Sequence, residues 1–280
     1  MDAVKSMPPL DAALIYAAFK MPPEQAVAFL KSKGIVVSDS WTDLWREAHS
    51  RAFTVAQSAG FDIVGDIKGA LEQALEKGET FETFQKNIEP TLRAKGWWGK
   101  AIDMETGEVL KHYPGTNRIV EYGTPSRMRL IYEQNVQTAY MAGRYRAMKA
   151  SVDTHPFWQY TAVMDNRTRP AHAAMHGRVF RHDDDAWGVA YPPCGWNCRC
   201  RAIPLSYSDV QNEGLEVQSA AGHIQELPVL NRKGEQRMLP NGQPMTVKQI
   251  KLPGMQKPFR PDPGWDYNAA ANYPSMKRRA

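Results

Sequence analysis

The stretch that decides the fold is FWQYTAVMDNRTRPAHAAMHG at residues 157–177, completed by PPCGWNCRCRAIPL at residues 192–205. Apolar and aromatic residues in short runs predict three β-strands, at Phe157–Val163, Arg178–Arg181 and Cys200–Leu205. Asp165 follows the first strand directly, where its carboxylate can accept backbone N–H groups of a turn that begins a helix. We therefore predict a small mixed α/β module over residues 125–208.

Histidine and cysteine residues in this stretch have the spacing of metal ligands. His172 and His176 are four residues apart, so a helix would place both on one face. Cys198 and Cys200 are two residues apart, so a strand would place both on one face. With Cys194, these residues could hold one structural zinc ion in tetrahedral geometry.

The cysteines allow two further interpretations. All three cysteines of the chain lie within seven residues, whereas structural buried cysteines are usually scattered. They could form a reduced thiol cluster packed under the Pro192–Pro193 turn. A disulfide between Cys194 and either Cys198 or Cys200 is the other possibility, although it fits a reducing compartment less well.

The most strongly predicted helix spans residues 126–150 and begins at Pro125 and Ser126. Apolar and small residues share one face, and basic residues lie toward both ends. These basic residues could form a solvated face or contact phosphates or an acidic partner: Arg127, Arg129, Arg144, Arg146 and Lys149.

Residues 1–100 are predicted to be helical. Helices are expected after Pro22–Pro23, after an N-cap at Ser40 with Trp41, Leu44 and Trp45 on one face, from Ile63 to Gly78, and from Thr80 to Leu92 with Pro90 inside. Residues 101–124 form a predicted hairpin or linker with its turn at Gly107.

Residues 209–280 differ in composition from the rest. They contain eight prolines and six glycines with few periodic runs, a small hairpin is expected at 229–238, and Lys277, Arg278 and Arg279 lie near the end. We predict an extended C-terminal arm, which needs a partner or the body of the protein to order it. We expect residues 209–280 to lie along a partner and to be protease-sensitive in the isolated protein. The fold class is α+β.

The composition limits the possible functions. The 280 residues carry a net charge of +5, which permits contact with nucleic acid but does not require it. No run reaches the ~18 apolar residues that a membrane span needs. The first twenty residues lack a signal-peptide pattern, so we expect a cytoplasmic product.

The combination of these motifs resembles the phage Mu F-like and SPP1 gp7-like head-morphogenesis proteins. The resemblance covers about residues 126–208 well and the rest loosely, with Pro263–Asn268 (PGWDYN) similar to an element near the end of Mu-type members. One departure is Gly195, where many relatives have histidine, so Cys194 would have to replace that ligand. The matching residues are Asp165, Arg167, Thr168, His172, His176, Gly177, Pro192, Pro193, Cys198, Arg199 and Cys200.

The resemblance implies a minor capsid protein of a tailed bacteriophage. Such a protein is made late, binds the portal, scaffold or inner capsid surface, acts in head assembly and DNA packaging, and can influence DNA ejection. The portal or capsid is then the expected partner of residues 209–280. It is found in the virion and, during assembly, in the bacterial cytoplasm. The implied role is structural rather than enzymatic, with a motif that holds the module together: Asp165, Arg167, Thr168, Gly177, Pro192, Pro193 and Arg199.

Two other functions are compatible with the same residues. A metal-dependent nuclease or other hydrolase could use His172, His176 and the acidic run Asp183–Asp185, and Cys198 could act as a nucleophile with His172 as its base. A toxin or effector built on a phage module is the second, although residues 209–280 offer little room for a separate catalytic core.

Overall fold

The computed structural model describes residues 23–113 and 115–271. Its elements confirm the predicted mixed α+β class. In these ranges no helix has both the length and the apolar content needed to cross a membrane. The helices are α1 (Pro23–Ser32), α2 (Ala48–Arg51), α3 (Val64–Lys77), α4 (Phe81–Ala94), α5 (Pro125–Ala150), α6 (Pro170–Ala173), α7 (Ala186–Ala190) and α8 (Tyr207–Asn212). The strands are β1 (Gly34–Ile35), β2 (Ala52–Phe53), β3 (Phe157–Thr161), β4 (Val179–Arg181), β5 (Arg201–Leu205), β6 (Val217–Gln218), β7 (Ile224–Pro228) and β8 (Thr246–Ile250).

Helices α3 and α4 form as their apolar spacing predicts. The face of α3 that carries Ile67, Leu71 and Leu75 is buried, and Gly78 ends the helix with φ of +63°. The Thr80 side chain accepts a hydrogen bond from the Thr83 N–H and caps α4. These local signals suffice to predict both helices, because each helix buries one continuous stripe of apolar residues.

The helix predicted after Ser40 is wrong. Residues 40–47 form turns, and only the single turn of α2 is helical before β2. The Asp43 carboxylate accepts the backbone N–H groups of Asp39 and Ser40, and Arg46 adopts φ of +47°, which a right-handed helix excludes. Trp41 and Trp45 contact residues 196 and 264 instead of a helical stripe.

The hairpin predicted in residues 101–124 is confirmed. Gly107, with φ of +72°, donates its N–H to Asp103 O at 2.9 Å, and Asp103 donates its N–H to Glu108 O at 2.8 Å. The positive φ at the turn explains why glycine is present there.

Helix α5 joins the two apolar cores. Its N-terminal half packs with α1, α3 and α4 in the first core, through residues such as Met128 and Tyr132. Its C-terminal half contributes Met141 and Met148 to the second core, which contains Trp158 and the three cysteines. A boundary at residue 125 therefore does not separate two independent cores.

A four-stranded sheet lies under the second core, in the order β5-β3-β4-β6. Strand β3 is central and antiparallel to both neighbours, pairing Trp158 with Pro204 on one side and with Phe180 on the other. Pro204 is tolerated because β5 is an edge strand, where its missing N–H breaks no ladder.

Residues 209–271 are ordered by the body of the protein, one of the two ways anticipated for the arm. Strands β7 and β8 pair antiparallel, and Ile250 and Phe259 are fully buried in the second core. Ala270 reaches the first core. The predicted small hairpin is present, with Asn231 donating its N–H to Glu235 O at 2.8 Å. Pro22 and the basic residues 277–279 lie outside the described residues.

Candidate functional site

The turn after β3 is locked to the segment before β5 by an ion pair. Arg199 donates to both oxygens of Asp165, with Nη1–Oδ2 at 2.7 Å and Nη2–Oδ1 at 2.5 Å. Thr168 Oγ1 donates to Val163 O and lies 3.3 Å from Asp165 Oδ1. The hydrogen bonds from Arg199 hold the pKa of Asp165 well below its usual range. We call Asp165, Thr168 and Arg199 the clasp; the sequence predicted that these segments meet.

A buried group of one imidazole and two thiols lies next to the clasp. His172 Nδ1 is 3.7 Å from Cys198 Sγ and 3.6 Å from Cys200 Sγ, and each of the three residues is at most 3% exposed. We call these three residues the thiol–histidine cluster. Within residues 23–113 and 115–271 it is the one group of three or more such side chains close enough to share a metal ion.

Cys194 lies beside this cluster. Its Sγ donates to Ala190 O at 3.3 Å, and all three cysteines are free thiols, so the disulfide alternatives are not formed. Hydrogen bonds with Cys194 and Cys200 lower the pKa of the Cys198 thiol. Burial raises the pKa of Cys194, whereas the hydrogen bond with Cys198 and burial raise that of Cys200. These directions make Cys198 the most acidic of the three thiols.

Two expectations about the ligands are not met. His176 is exposed, and its Nδ1 accepts the Ala162 N–H at 3.1 Å outside the cluster, because α6 ends at Ala173 and no helical face joins the two histidines. Cys198 and Cys200 lie before β5 rather than on it. They converge on His172 through a turn in which Asn197 has φ of +55°.

The acidic run predicted for a nuclease is also away from the cluster. Asp184 accepts the N–H groups of Ala186 and Ala220 and the hydroxyl of Ser219, and Asp183 pairs with Arg181. These contacts make the run a structural turn.

The remaining motif residues, Gly177, Pro192, Pro193 and Arg167, lie in the loops that connect the helices and strands of the module. Gly177 has φ of +79° and donates its N–H to Tyr160 O at 2.9 Å. The Pro192–Pro193 peptide is cis. Arg167 is more than half exposed, its Nε lies 3.8 Å from Asp165 Oδ2, and the side chain lines the open groove.

A contact that the sequence did not reveal fills the position of Gly195. Asp262 Oδ2 accepts from Trp196 N at 3.0 Å and from Arg169 Nη2 at 2.9 Å. A Cβ on Gly195 would lie 2.3 Å from that oxygen. Glycine at this position thus admits a carboxylate from 67 residues farther along the chain, and no spacing rule connects the two positions.

Most of the basic side chains of α5 form hydrogen bonds or ion pairs with other parts of the protein. Arg127 donates to the carbonyls of Glu121, Tyr122 and Ala56. Arg144 Nε donates to Ala202 O at 2.8 Å, and Lys149 donates to His182 O at 3.2 Å. Arg129 pairs with Glu82 at 3.1 Å, and Arg146 is half-buried. Contact of these residues with DNA stays a prediction.

An open groove of about 1450 Å³ runs between the N-terminal region and the module. Arginines 127, 129, 167, 169 and 199 line it together with Cys198. One residue of the clasp, Arg199, and one of the thiol–histidine cluster, Cys198, therefore lie in the wall of this groove.

The profile of the family described as "Phage Mu protein F like protein" matches residues 65–203, which include α3 except its first residue, α4, α5, the clasp and the thiol–histidine cluster. The chain is 38% identical over 262 residues to the "Putative capsid assembly protein F" of Escherichia phage Mu. The chain belongs to the phage Mu F-like family. A second member, the "Mu-like prophage FluMu F protein" of Haemophilus influenzae, is 36% identical over 233 residues.

The match to these two family members covers most of this chain but only about half of each relative. It covers 94% and 83% of this chain but 57% and 52% of the two relatives, so the chain spans about half of their length. No solved structure matches the chain.

Proposed function

We propose that this chain acts in head morphogenesis of a tailed bacteriophage, as a minor capsid protein that binds the portal or inner capsid surface. The observation that supports this most is that the family match coincides with the clasp and the thiol–histidine cluster. One relative is named a putative capsid assembly protein. In this proposal the clasp keeps a compact attachment module rigid during assembly and DNA packaging, and the chain remains in the virion, where it influences ejection.

The proposal is tested with the purified chain and the portal ring of the same phage. Wild-type protein is expected to co-purify with the ring, and the Arg199→Met variant to be depleted from heads because it leaves Asp165 unpaired. Arg201→Met, a neighbouring basic residue outside the clasp, is the control and retains assembly. Absence of wild-type protein from both portal rings and heads would contradict the proposal.

We further propose that the thiol–histidine cluster holds one structural zinc ion. Zn–S bonds of about 2.3 Å and Zn–N bonds of about 2.1 Å at the tetrahedral angle place sulfur and nitrogen about 3.6 Å apart. The two sulfur–nitrogen distances here are 3.6 and 3.7 Å, so the residues fit. Cys194 is the nearest candidate for a fourth ligand, through its contact with Cys198. A metal in this closed site would stabilise the fold rather than carry out chemistry.

Metal analysis tests the zinc proposal. Purified protein is expected to contain about one equivalent of zinc, following four-ligand coordination. Cys198→Ser should lose the metal and unfold at lower temperature, whereas His176→Ala should keep it, because His176 lies outside the cluster. A folded, metal-free wild-type protein that gains no stability from added zinc would rule the proposal out.

A hydrolase with Cys198 as nucleophile is the alternative function, favoured by one observation. The Cys198 thiol has a lowered pKa, lies 3.7 Å from His172 and lines the groove. Against it, Cys198 is 2% exposed, and His172 Nε2 has no hydrogen-bond partner within the described ranges to orient the imidazole. Rapid alkylation of Cys198 by iodoacetamide in the zinc-loaded protein would favour this alternative over the structural role.

A further inference from the structure

A small cavity behind the groove is lined by four tryptophans from distant parts of the chain. Its volume is about 180 Å³, and Trp41, Trp45, Trp196 and Trp265 are among its walls. Their rings form a chain of contacts, with centroids 5.8 Å apart for Trp41–Trp45, 6.5 Å for Trp41–Trp196 and 5.1 Å for Trp196–Trp265. A cavity of about 150 Å³ accepts benzene in another protein, so this one has room for a single aromatic ring.

Two cations, Lys33 and Arg127, line the same cavity, and Arg127 is satisfied by backbone carbonyls. Lys33 is 8% exposed, and no carboxylate or carbonyl in residues 23–113 or 115–271 accepts a hydrogen bond from its Nζ. Its one attractive contact there is the Phe29 ring, at 5.1 Å from the centroid. Burial lowers the pKa of Lys33 to about 8, and the charge of Lys68 lowers it further. An isolated buried ammonium is costly, and an anion beside it would offset that cost.

Three other ionisable side chains line the cavity, His49, Tyr267 and Arg127, and none of them supplies a negative charge, because burial raises the pKa of Tyr267. His49 also lines the cavity, and burial lowers its pKa to about 4, so it is neutral at pH 7. The charge of Lys68 acts on Lys33 and that of Lys33 acts on His49. The Arg127 guanidinium lines the cavity as well, and the one negative charge that acts on a described lining residue other than these is that of Glu47, on Tyr267. The cavity thus combines an aromatic wall with uncompensated positive charge.

We propose that this cavity binds a carboxylate carried on an aromatic or bulky aliphatic group. The carboxylate lies against Lys33, and the apolar part lies among the four tryptophans. The cavity shares Trp41, Arg127 and Trp196 with the groove, so both a small acid and the terminal residue of a polypeptide lying in the groove can reach it. This site goes beyond the proposed assembly function and depends on none of its residues.

Calorimetry and tryptophan fluorescence with four probes test the proposal. Phenylacetate and the tripeptide Gly-Gly-Phe with a free carboxylate are compared with benzyl alcohol and the same tripeptide as its amide. Wild-type protein is expected to bind at least one carboxylate probe about tenfold more tightly than its neutral counterpart. Binding by phenylacetate alone identifies a small acid, and preferential binding by the free tripeptide identifies a polypeptide terminus.

Lys33→Met separates the role of the charge from that of the fold. It should abolish the preference for carboxylate, leave the binding of benzyl alcohol unchanged and not lower the melting temperature, because it removes an unpaired buried charge. Lys31→Met, at an exposed lysine paired with Glu76, is the control and keeps the preference. Equal affinity of wild-type protein for the carboxylate and neutral probes, or an unchanged preference in Lys33→Met, would overturn the proposal.

Discussion

Gly195 is the residue whose small size has the largest consequence for the module. The space that a side chain would occupy contains the Asp262 carboxylate, which binds both Trp196 N and Arg169. One glycine therefore allows the C-terminal segment to be held against the loop that carries Cys194 and Cys198.

Replacing Gly195 by alanine should weaken this attachment. A Cβ 2.3 Å from Asp262 Oδ2 forces the carboxylate away, so Gly195→Ala should lower the melting temperature. Gly188→Ala is the matched control, because nothing lies within 4 Å of its Cβ position and alanine favours the surrounding helix. Equal melting temperatures for the two variants would mean that the segment moves aside without cost.

The clasp should make stability depend on pH in the acidic range. The pKa of Asp165 is lowered in the folded protein, so its stabilising contribution is complete above the unfolded pKa of about 3.9 and is lost as the pH falls through the folded pKa. The melting-temperature difference between wild type and Asp165→Asn should be constant from pH 7 to about 5 and shrink below about 4. A difference that grows toward low pH would contradict this assignment.

At the scale of elements, local signals predicted what local packing determines. The stripes of α3 and α4, the cap at Thr80 and the turn at Gly107 all lie within one element and its ends. The helix expected after Ser40 failed because Trp41 and Trp45 pack on residues more than 150 positions away. A periodic pattern does not reveal which surface a side chain will cover.

Arg46 connects that irregular segment to the C-terminal strands. It bonds the fully buried Asp266 carboxylate at 2.7 Å and Glu226 at 2.9 Å. Arg46→Met leaves Asp266 unpaired and should cost about 3 kcal/mol or more of the free energy of unfolding. Denaturant melts measure this loss.

Limited proteolysis shows where the loss occurs. The segment 246–268 should resist cleavage in the isolated wild-type chain and become sensitive in Arg46→Met, in contrast to the sensitivity expected from sequence for an arm that lies along a partner. Arg51→Met, an exposed neighbour, is the control. Rapid cleavage of wild-type protein within 246–268 would show that this segment does not pack stably on the chain.

At the scale of the whole molecule, neither core is complete without distant parts of the chain. Phe259 contacts His172 and Tyr160, with ring centroids 5.6 Å apart in each pair, and Ala270 lies in the first core. The isolated fragment 125–208, although it contains all the motif residues, should therefore show no cooperative thermal transition by circular dichroism. A cooperative transition in that fragment would restore the module boundaries predicted from sequence.

The candidate site was predictable in its chemistry and less so in its membership. The sequence predicted that the turn after Asp165 meets the cysteine-bearing segment and that His172 converges with two thiols, because short spacings and a family resemblance carry that information. It included His176 because an α6 of more than one turn was assumed, and it missed Asp262 because its contact with Gly195 spans 67 residues. Long-range contacts of this kind have no local signature.

The placement of Ala270 in the first core has a consequence for folding during translation, because the ribosome makes the N-terminal residues first. A nascent polypeptide emerges from the ribosome with α1, α3 and α4 early, but the last contributor to their core is added about 200 residues later. At translation speeds of roughly 5 to 20 residues per second, the early helices wait on the order of 10 s or more before their packing is finished. Chaperones that shield apolar surface have that interval in which to act on this protein.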